Sequence, residues 1–445
     1  MRPTVYGDAM GSLVRPYAAA ATIVCPLLFL ALLPTPAVGS AGTAHHNTPI
    51  HDVAGLLVKS ILAQNTVNYK GRQIEIVSDQ GNGALHTTTR MIIHRKDGYS
   101  LVRCLDPPSL RGCFQADDGH WLRSYDPRTH VVTIGRSMAR VRTRRDAERL
   151  ARRILSAYRV SATGMDQVAQ RECVVLNLRP YDPYSHTINV WVDARTGVTL
   201  SRQDNSPRGH TFSLTLFKSI TYPQNVPTRE LHYTIPPGTR TQKITLSPLY
   251  RSVASLSRAA GFRVLVPISM PTGFEFEAAE MVRLNGVPNA CLRYTDGMAG
   301  LTIFEKPTGR PTSGGHAPVL SRSLPRGEAI AMTVHGHTAC IVVGAREPDG
   351  LMAILRALDP EREDELMHRF QDMFRLPAHI LTDSREHGLG MDCLAALWDI
   401  ARQTGRPLEA LLALHGEGWE WPSLARRFRA DVHQVERHIK PFLCR

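Results

Sequence analysis

Eight arginines lie close together about one third of the way along the chain, at positions 136, 140, 142, 144, 145, 149, 152 and 153. Guanidinium groups bind phosphate or carboxylate through paired hydrogen bonds. Residues 146–158 have helical spacing, with Leu150, Ile154 and Leu155 on one side, so the arginines from 145 onward fall mainly on the opposite side. Two interpretations stay open: a solvated basic face, or a docking surface for acidic groups. The second gives these candidate anion-binding residues: Arg142, Arg144, Arg145, Arg149, Arg152 and Arg153.

The sequence shows no spacing typical of a catalytic site. It contains no Gly-x-Ser-x-Gly, no His-Glu-x-x-His and no lysine-containing phosphate-binding loop. Triads are assembled across long sequence distances, so an undetected hydrolase is kept as an alternative. We expect a binding protein and not an enzyme, and we predict no cofactor and no metal site.

The chain contains eight cysteines, and six of them are predicted to form disulfides. Cys104 and Cys113 flank a short loop, whose closure would contribute about 2.5–3 kcal/mol. The other candidate pairs are Cys291 with Cys340, and Cys393 with Cys444 around a helical C-terminal stretch. Sequence alone does not prove this connectivity. Cys173 is predicted to be a buried small hydrophobic residue.

Residues 1–40 are predicted to be a secretory signal peptide. Arg2 and Arg15 precede an uncharged run, Ala18 to Leu33, and small residues follow it. An uncleaved membrane anchor is the alternative. We therefore expect the protein to be exported to an oxidising compartment. Its net charge of +13 favours anionic partners. Because the protein is expected to be exported, nucleic acid is not expected to be its partner.

Residues 171–222 are predicted to form four antiparallel strands. Apolar alternation, for example at Ile188, Val190 and Val192, is interrupted about every ten residues by turn residues such as Pro180 and Gly197. This spacing indicates a meander and not βαβ units. One face of such a sheet must be covered, as in a half-barrel wrapped around a helix or a ligand.

The predicted fold class is α+β with three parts. Residues 50–235 form a half-open antiparallel β-barrel over helices, the first helix running from about 51 to 64. Residues 236–258 form a linker, residues 259–376 a smaller α+β domain, and residues 377–445 an all-α extension.

Several strand-and-turn motifs in residues 50–235 resemble a known family. They include Asn68-Tyr69-Lys70-Gly71, Arg95-x-Asp97-Gly98, Leu176-x-Leu178-x-Pro180-x-Asp182 and Trp191-Val192-Asp193-x-x-Thr196-Gly197. The order resembles the periplasmic RseB/MucB regulators of the envelope-stress sigma factor and, more distantly, the LolA lipoprotein carriers. The resemblance implies a half-open barrel with an apolar cavity.

The second domain adds to this resemblance through Pro271-x-Gly273-Phe274 and Tyr294-Thr295-Asp296-Gly297, with Phe304 following. It implies that this domain binds the periplasmic part of an inner-membrane anti-sigma factor, with Tyr294 and Phe304 as candidate contacts. Lipid or lipopolysaccharide sensing and self-association are further expectations. The alternative function is a LolA-type lipid or lipoprotein carrier. The helical extension departs from the family pattern.

Overall fold

The computed structural model of the protein describes residues 52–78, 84–137, 143–243, 249–250, 252–284, 287–308, 320–324 and 327–442. Three units follow one another: the N-terminal unit (52–243), the second unit (249–358) and the helical tail (359–442), each with a hydrophobic core. The predicted signal peptide lies outside the described residues. Among the residues described, no helix is both long and apolar enough to cross a bilayer.

The N-terminal unit combines two helices with a twelve-stranded sheet. The helices are α1 (Val53–Thr66) and α2 (Arg144–Ala157). The strands are β1 (Tyr69–Ser78), β2 (Leu85–His94), β3 (Ser100–Asp106), β4 (Phe114–Asp117), β5 (Trp121–Asp126), β6 (Val131–Arg136), β7 (Tyr158–Val168), β8 (Arg171–Pro180), β9 (Thr187–Asp193), β10 (Thr199–Asn205), β11 (Thr211–Thr221) and β12 (Arg240–Lys243).

The sheet is open, with the strand order β12-β6-β5-β4-β3-β2-β1-β11-β10-β9-β8-β7. Neighbouring strands are antiparallel, except that β12 runs parallel to β6. Since β7 and β12 are its two edges, the sheet does not close, in agreement with the predicted half-open barrel. The predicted meander corresponds to β8–β11, which are consecutive neighbours in this order.

Helices α1 and α2 cover one face of the strands β8 and β9. Leu57 of α1 and Ile154 of α2 pack with Leu176, Leu178 and Val190 of these strands. Burying such apolar side chains stabilises the fold by about 1.5–3 kcal/mol each. The alternating apolar residues of the meander therefore form the core under the two helices.

The second unit packs two helices against a six-stranded antiparallel sheet. Its elements are α3 (Val253–Ala260), β13 (Glu275–Leu284), β14 (Val287–Thr295), β15 (Gly300–Pro307), β16 (Leu320–Ser323), β17 (Ala329–His335), β18 (Thr338–Gly344) and α4 (Pro348–Arg356). The strand order is β13-β14-β15-β18-β17-β16.

The helical tail is an all-α unit. Its helices are α5 (Pro360–Phe374), α6 (Ala378–Glu386), α7 (Met391–Thr404), α8 (Leu408–Gly416), α9 (Trp421–Phe428) and α10 (Val432–Ile439). Leu394, Leu397 and Ile400 of α7 are fully buried at its centre, beside Phe370 of α5. The C-terminal helices predicted from the sequence are present.

Two predicted boundaries differ from the structure. Helix α5, predicted as part of the second domain, packs through Leu366 and Phe370 into the core of the tail. The predicted linker contains β12 and most of α3. Strand β12 is held in the sheet by backbone hydrogen bonds to β6. Its four residues, Arg-Thr-Gln-Lys, are all exposed, so the sequence shows no apolar pattern there.

Candidate functional site

A cavity of about 1210 Å³ lies where the three units meet. Its wall includes Leu57 and Ile61 of α1, strand residues such as Leu178, the turn around Gly273 in the second unit, and His415 of the tail. Apolar groups from the sheet and from α1 make up one part of the wall. Carboxylates, arginines and histidines make up another.

Helix α2 determines how the units meet, and its N-terminus is fixed by a reciprocal cap. The Asp146 backbone N–H donates to Thr143 Oγ1 over 3.1 Å, and the Thr143 N–H donates to Asp146 Oδ2 over 3.0 Å. Ala147, Ala151 and Ile154 of α2 are buried, and Ala151 and Ile154 belong to the core that α2 shares with α1 and the sheet. The arginines are consequently turned toward solvent and toward the other two units.

The first arginines of α2 lie at the surface. The side chain of Arg144 is 80% exposed and pairs with Glu148, whereas that of Arg145 is 81% exposed and pairs with Glu417 of the tail. Arg149 is half-exposed, with a guanidinium nitrogen 3.5 Å from Asp146 Oδ1. Arg142 lies outside the described residues.

The last arginines of α2 contact the other units instead. Arg152 Nε donates to the Glu417 carbonyl oxygen over 3.1 Å, and its guanidinium lies 5.8 Å from the centre of the Trp419 ring. Arg153 donates to the Glu275 carboxylate of the second unit. Burial lowers the pKa of Arg153 from its ordinary value, with the nearby carboxylates opposing that shift. Arg152 therefore joins α2 to the helical tail, and Arg153 joins α2 to the second unit.

Two turns of the second unit pack directly on α2. A Cβ on Gly297 would lie 2.9 Å from Ile154 Cγ1 and 3.0 Å from Leu150 Cδ1, and a Cβ on Gly273 would overlap Ala157. Both glycines have positive φ, +91° and +85°, which other residues rarely adopt. The turns predicted as Tyr-Thr-Asp-Gly and Pro-x-Gly-Phe motifs are thus contacts between units.

Buried polar groups complete the contact between the first two units. Tyr158 O–H donates to Asp296 Oδ2 over 2.8 Å, and Arg346 Nη2 donates to Asp182 Oδ1 over 2.9 Å. Burial raises the pKa of the Asp296 carboxyl and lowers that of the Arg346 guanidinium. Buried polar contacts of this kind fix the orientation between the units, because a shifted orientation would leave each group buried without its partner.

Tyr294 and Phe304 lie in the interior of the second unit. They are 1% and 0% exposed, and the ring of Tyr294 lies 5.6 Å from that of Phe276. Burial raises the pKa of the Tyr294 hydroxyl above its ordinary value. The structure therefore places these two candidate partner contacts in the core and not on a docking surface.

The cysteines follow the predicted pairing only in part. Cys104 and Cys113 form a disulfide. Cys291 and Cys340 do not, and that prediction is wrong: Cys291 is opposite Phe304 and Cys340 is opposite Glu305. Since consecutive residues of β15 point to opposite faces, the two thiols lie on opposite sides of the sheet.

The third predicted pair involves a cysteine that is not described. Cys444 lies outside the described residues. Cys393 is a thiol with Sγ 3.6 Å from His415 Nε2. Cys173 is fully buried, as predicted, and burial raises the pKa of its thiol to about 12.

One group in the described part of the chain has the spacing to hold a metal ion. One ligand atom from each of Glu275, His415 and Glu420 lies within 4.8 Å of the others. The three residues come from the second unit and from two segments of the tail, and all three line the cavity. Their separation in sequence explains why spacing alone did not reveal them.

The chain was compared with known proteins. Residues 53–235 match the family model described as the MucB/RseB N-terminal domain. This stretch of the chain is a domain of the MucB/RseB N-terminal type. No curated protein matches it.

Several solved structures resemble this chain. The complex of MucA and MucB from Pseudomonas aeruginosa is 19% identical, covers 69% of this chain and 97% of its own, and has a TM-score of 0.49. A crystal structure of MucB is 20% identical, with coverages of 69% and 98% and a TM-score of 0.42. A LolA superfamily protein from Nitrosomonas europaea is 13% identical, with coverages of 40% and 96% and a TM-score of 0.22.

Proposed function

We propose that this protein binds the periplasmic part of an inner-membrane anti-sigma factor and so acts as a negative regulator of an extracytoplasmic sigma factor. The observation that carries the proposal is the MucB/RseB match over residues 53–235. The rigid contacts among α2, the Gly273 turn and the Gly297 turn support it, because a fixed arrangement of units lowers the entropic cost of binding a partner. In this proposal the protein is exported and acts by binding its partner, without catalysing a reaction.

The surface proposed for the partner is the exposed side of α2 with the adjoining cavity. Arg144, Arg145 and Arg149 remain accessible there, whereas Arg152 and Arg153 are used inside the molecule. Their exposed ion pairs are weak, about 0–1 kcal/mol each, so an acidic partner can replace the internal carboxylates. Such charges mainly speed association and make it salt-dependent.

Calorimetric titration with purified periplasmic fragments of anti-sigma factors from the same organism tests the proposal. We expect a saturable complex whose affinity falls as salt is raised. The double variant Arg144→Glu/Arg145→Glu should bind at least about tenfold more weakly. Arg208→Glu, a charge reversal at an exposed position of the β10–β11 turn, is the matched control and should change little. No binding of any fragment at low salt would refute the proposal.

A second candidate function, lipid carriage or lipid sensing, is favoured by the cavity alone. Its volume of about 1210 Å³ is large enough for acyl chains, and Leu57, Ile61, Leu176, Leu178 and Val190 give it an apolar wall. Native mass spectrometry of the purified protein would detect a retained lipid. Retained lipid without binding of an anti-sigma fragment would favour a carrier over the regulator.

A further inference from the structure

A thiol lies next to the histidine of the Glu275, His415 and Glu420 cluster. Glu275 is the first residue of β13, His415 belongs to α8, and Glu420 is the N-cap residue of α9. Cys393 of α7 lies beside His415, with Sγ 3.6 Å from His415 Nε2. Imidazole, carboxylate and thiolate are the three ligand types that zinc uses in proteins.

The geometry of the sulfur and the imidazole fits a zinc site. Bond lengths of about 2.3 Å to sulfur and about 2.05 Å to nitrogen, at the tetrahedral angle, separate the two ligand atoms by about 3.6 Å. This equals the observed distance between Cys393 and His415. The carboxylate oxygens lie within 4.8 Å of the imidazole and would move inward to the roughly 3.4 Å of a formed site.

The imidazole is already oriented as a ligand. His415 Nδ1 lies 3.2 Å from the carbonyl oxygen of Trp419. A proton on Nδ1 donated to this carbonyl leaves the lone pair on Nε2, which faces the sulfur of Cys393. Metal-binding histidines are commonly fixed by such a hydrogen bond from the second ring nitrogen.

A buried carboxylate oxygen points to the same conclusion. Glu275 is 8% exposed, and its Oε2 accepts a hydrogen bond from Arg153. Its Oε1 has no hydrogen-bond partner among the described residues. A buried polar atom without a partner is costly, and a bound cation would remove this cost. The charge of Arg153 offsets that of one carboxylate, so the site would not accumulate excess negative charge.

We propose a zinc site that joins the helical tail to the second unit, formed by Glu275, Cys393, His415 and Glu420. The ion reaches it through the cavity, which all four residues line. Three ligands come from the tail and one from the second unit. Zinc therefore stabilises the docking of the tail against the rest of the molecule.

Zinc titration of the metal-stripped protein against a competing chelator tests the site. All proteins carry Ala at His45, His46 and His51, so that these residues near the N-terminus add no background. We expect one zinc ion per chain. Affinity should fall at least about tenfold in His415→Ala, and likewise in Glu420→Gln, which preserves side-chain size. His433→Ala, whose side chain is 88% exposed on α10, is the matched control and should bind as the parent does.

Replacing zinc by cobalt gives a visible spectrum that reports the ligands directly. A residue with a purely structural role would not change that spectrum. We expect a tetrahedral visible spectrum and a thiolate-to-cobalt charge-transfer band, which is lost in Cys393→Ser. Far-UV circular dichroism establishes that each variant is folded. Absence of stoichiometric zinc binding, or equal affinity in the parent, His415→Ala and Glu420→Gln, would overturn the proposal. A cobalt spectrum unchanged in Cys393→Ser would remove the thiol from the ligand set and overturn the four-ligand site.

Discussion

The Asp182–Arg346 pair gives the sharpest prediction about how the N-terminal and second units are joined. Asp182 lies in the β8–β9 turn and Arg346 follows β18. They are 9% and 2% exposed, and Arg346 Nη2 donates to Asp182 Oδ1 over 2.9 Å. Among the described residues, Nε and Nη1 of Arg346 have no hydrogen-bond partner. The carboxylate of Asp182 is therefore the main compensation for a buried guanidinium.

Removing one partner leaves the other charge buried. We expect Asp182→Ala to lower the free energy of unfolding by about 3–5 kcal/mol, because a broken buried pair costs that much. Arg346→Met should have a similar effect. The double variant Asp182→Ala/Arg346→Met should lose less free energy of unfolding than the two single variants lose together. The difference, which is the coupling energy of the pair, should be about 2 kcal/mol or more.

Urea unfolding followed by circular dichroism gives the free energies, and hydrogen exchange locates the effect at the contact between units. The matched control is the exposed Arg144–Glu148 pair, whose side chains are 80% and 41% exposed. Arg144→Met and Glu148→Ala should each change stability by no more than about 0.5 kcal/mol. If Asp182→Ala changed stability as little as these controls, the buried contact would not join the units.

Three further predictions concern single features of the fold. Gly297→Ala should destabilise the protein by more than Gly238→Ala: both glycines have positive φ, but only at Gly297 would the added methyl meet α2. Urea unfolding should show a difference of at least about 1 kcal/mol, from steric overlap added to the same backbone strain. Burial raises the pKa of the Glu305 carboxyl to about 8, above its unfolded value near 4.5. Its contribution to stability is therefore complete below about pH 4.5 and is lost as pH rises through about 8. The free energy of unfolding should fall by about 3 kcal/mol between about pH 5.5 and about pH 8 because of this carboxyl group. Urea unfolding of Glu305→Gln over the same pH range should lack this decrease. Cys104→Ser/Cys113→Ser should lower the free energy of unfolding by about 2.5–3 kcal/mol; an unchanged value would mean that the disulfide does not constrain the unfolded chain.

Most of the strands could be predicted because their apolar residues alternate. Ile188, Val190 and Val192 were placed on one face of a strand, and all three are buried under the helices. Strand β12 could not be predicted, since its four exposed residues join the sheet through backbone groups alone. A pattern of side chains carries no information about such pairing.

The contacts between units were not predictable from local sequence. The turn around Gly297 was recognisable as a turn, but the sequence does not say that it packs on Ile154. Arg152 and Arg153 were expected opposite the apolar side of an amphipathic helix, on a solvated or docking face, but in the structure both contact the other units. The Cys291–Cys340 prediction failed because sequence spacing does not fix the relative faces of two residues on different strands.

Crosslinking in living cells tests the central claim most directly. A photo-crosslinking residue at position 144, on the exposed side of α2, should form a covalent adduct with the periplasmic part of an inner-membrane anti-sigma factor, identified by mass spectrometry. The same residue at position 208, in the β10–β11 turn, should not. Adducts that contain no anti-sigma factor at either position, in cells that contain one, would contradict the account.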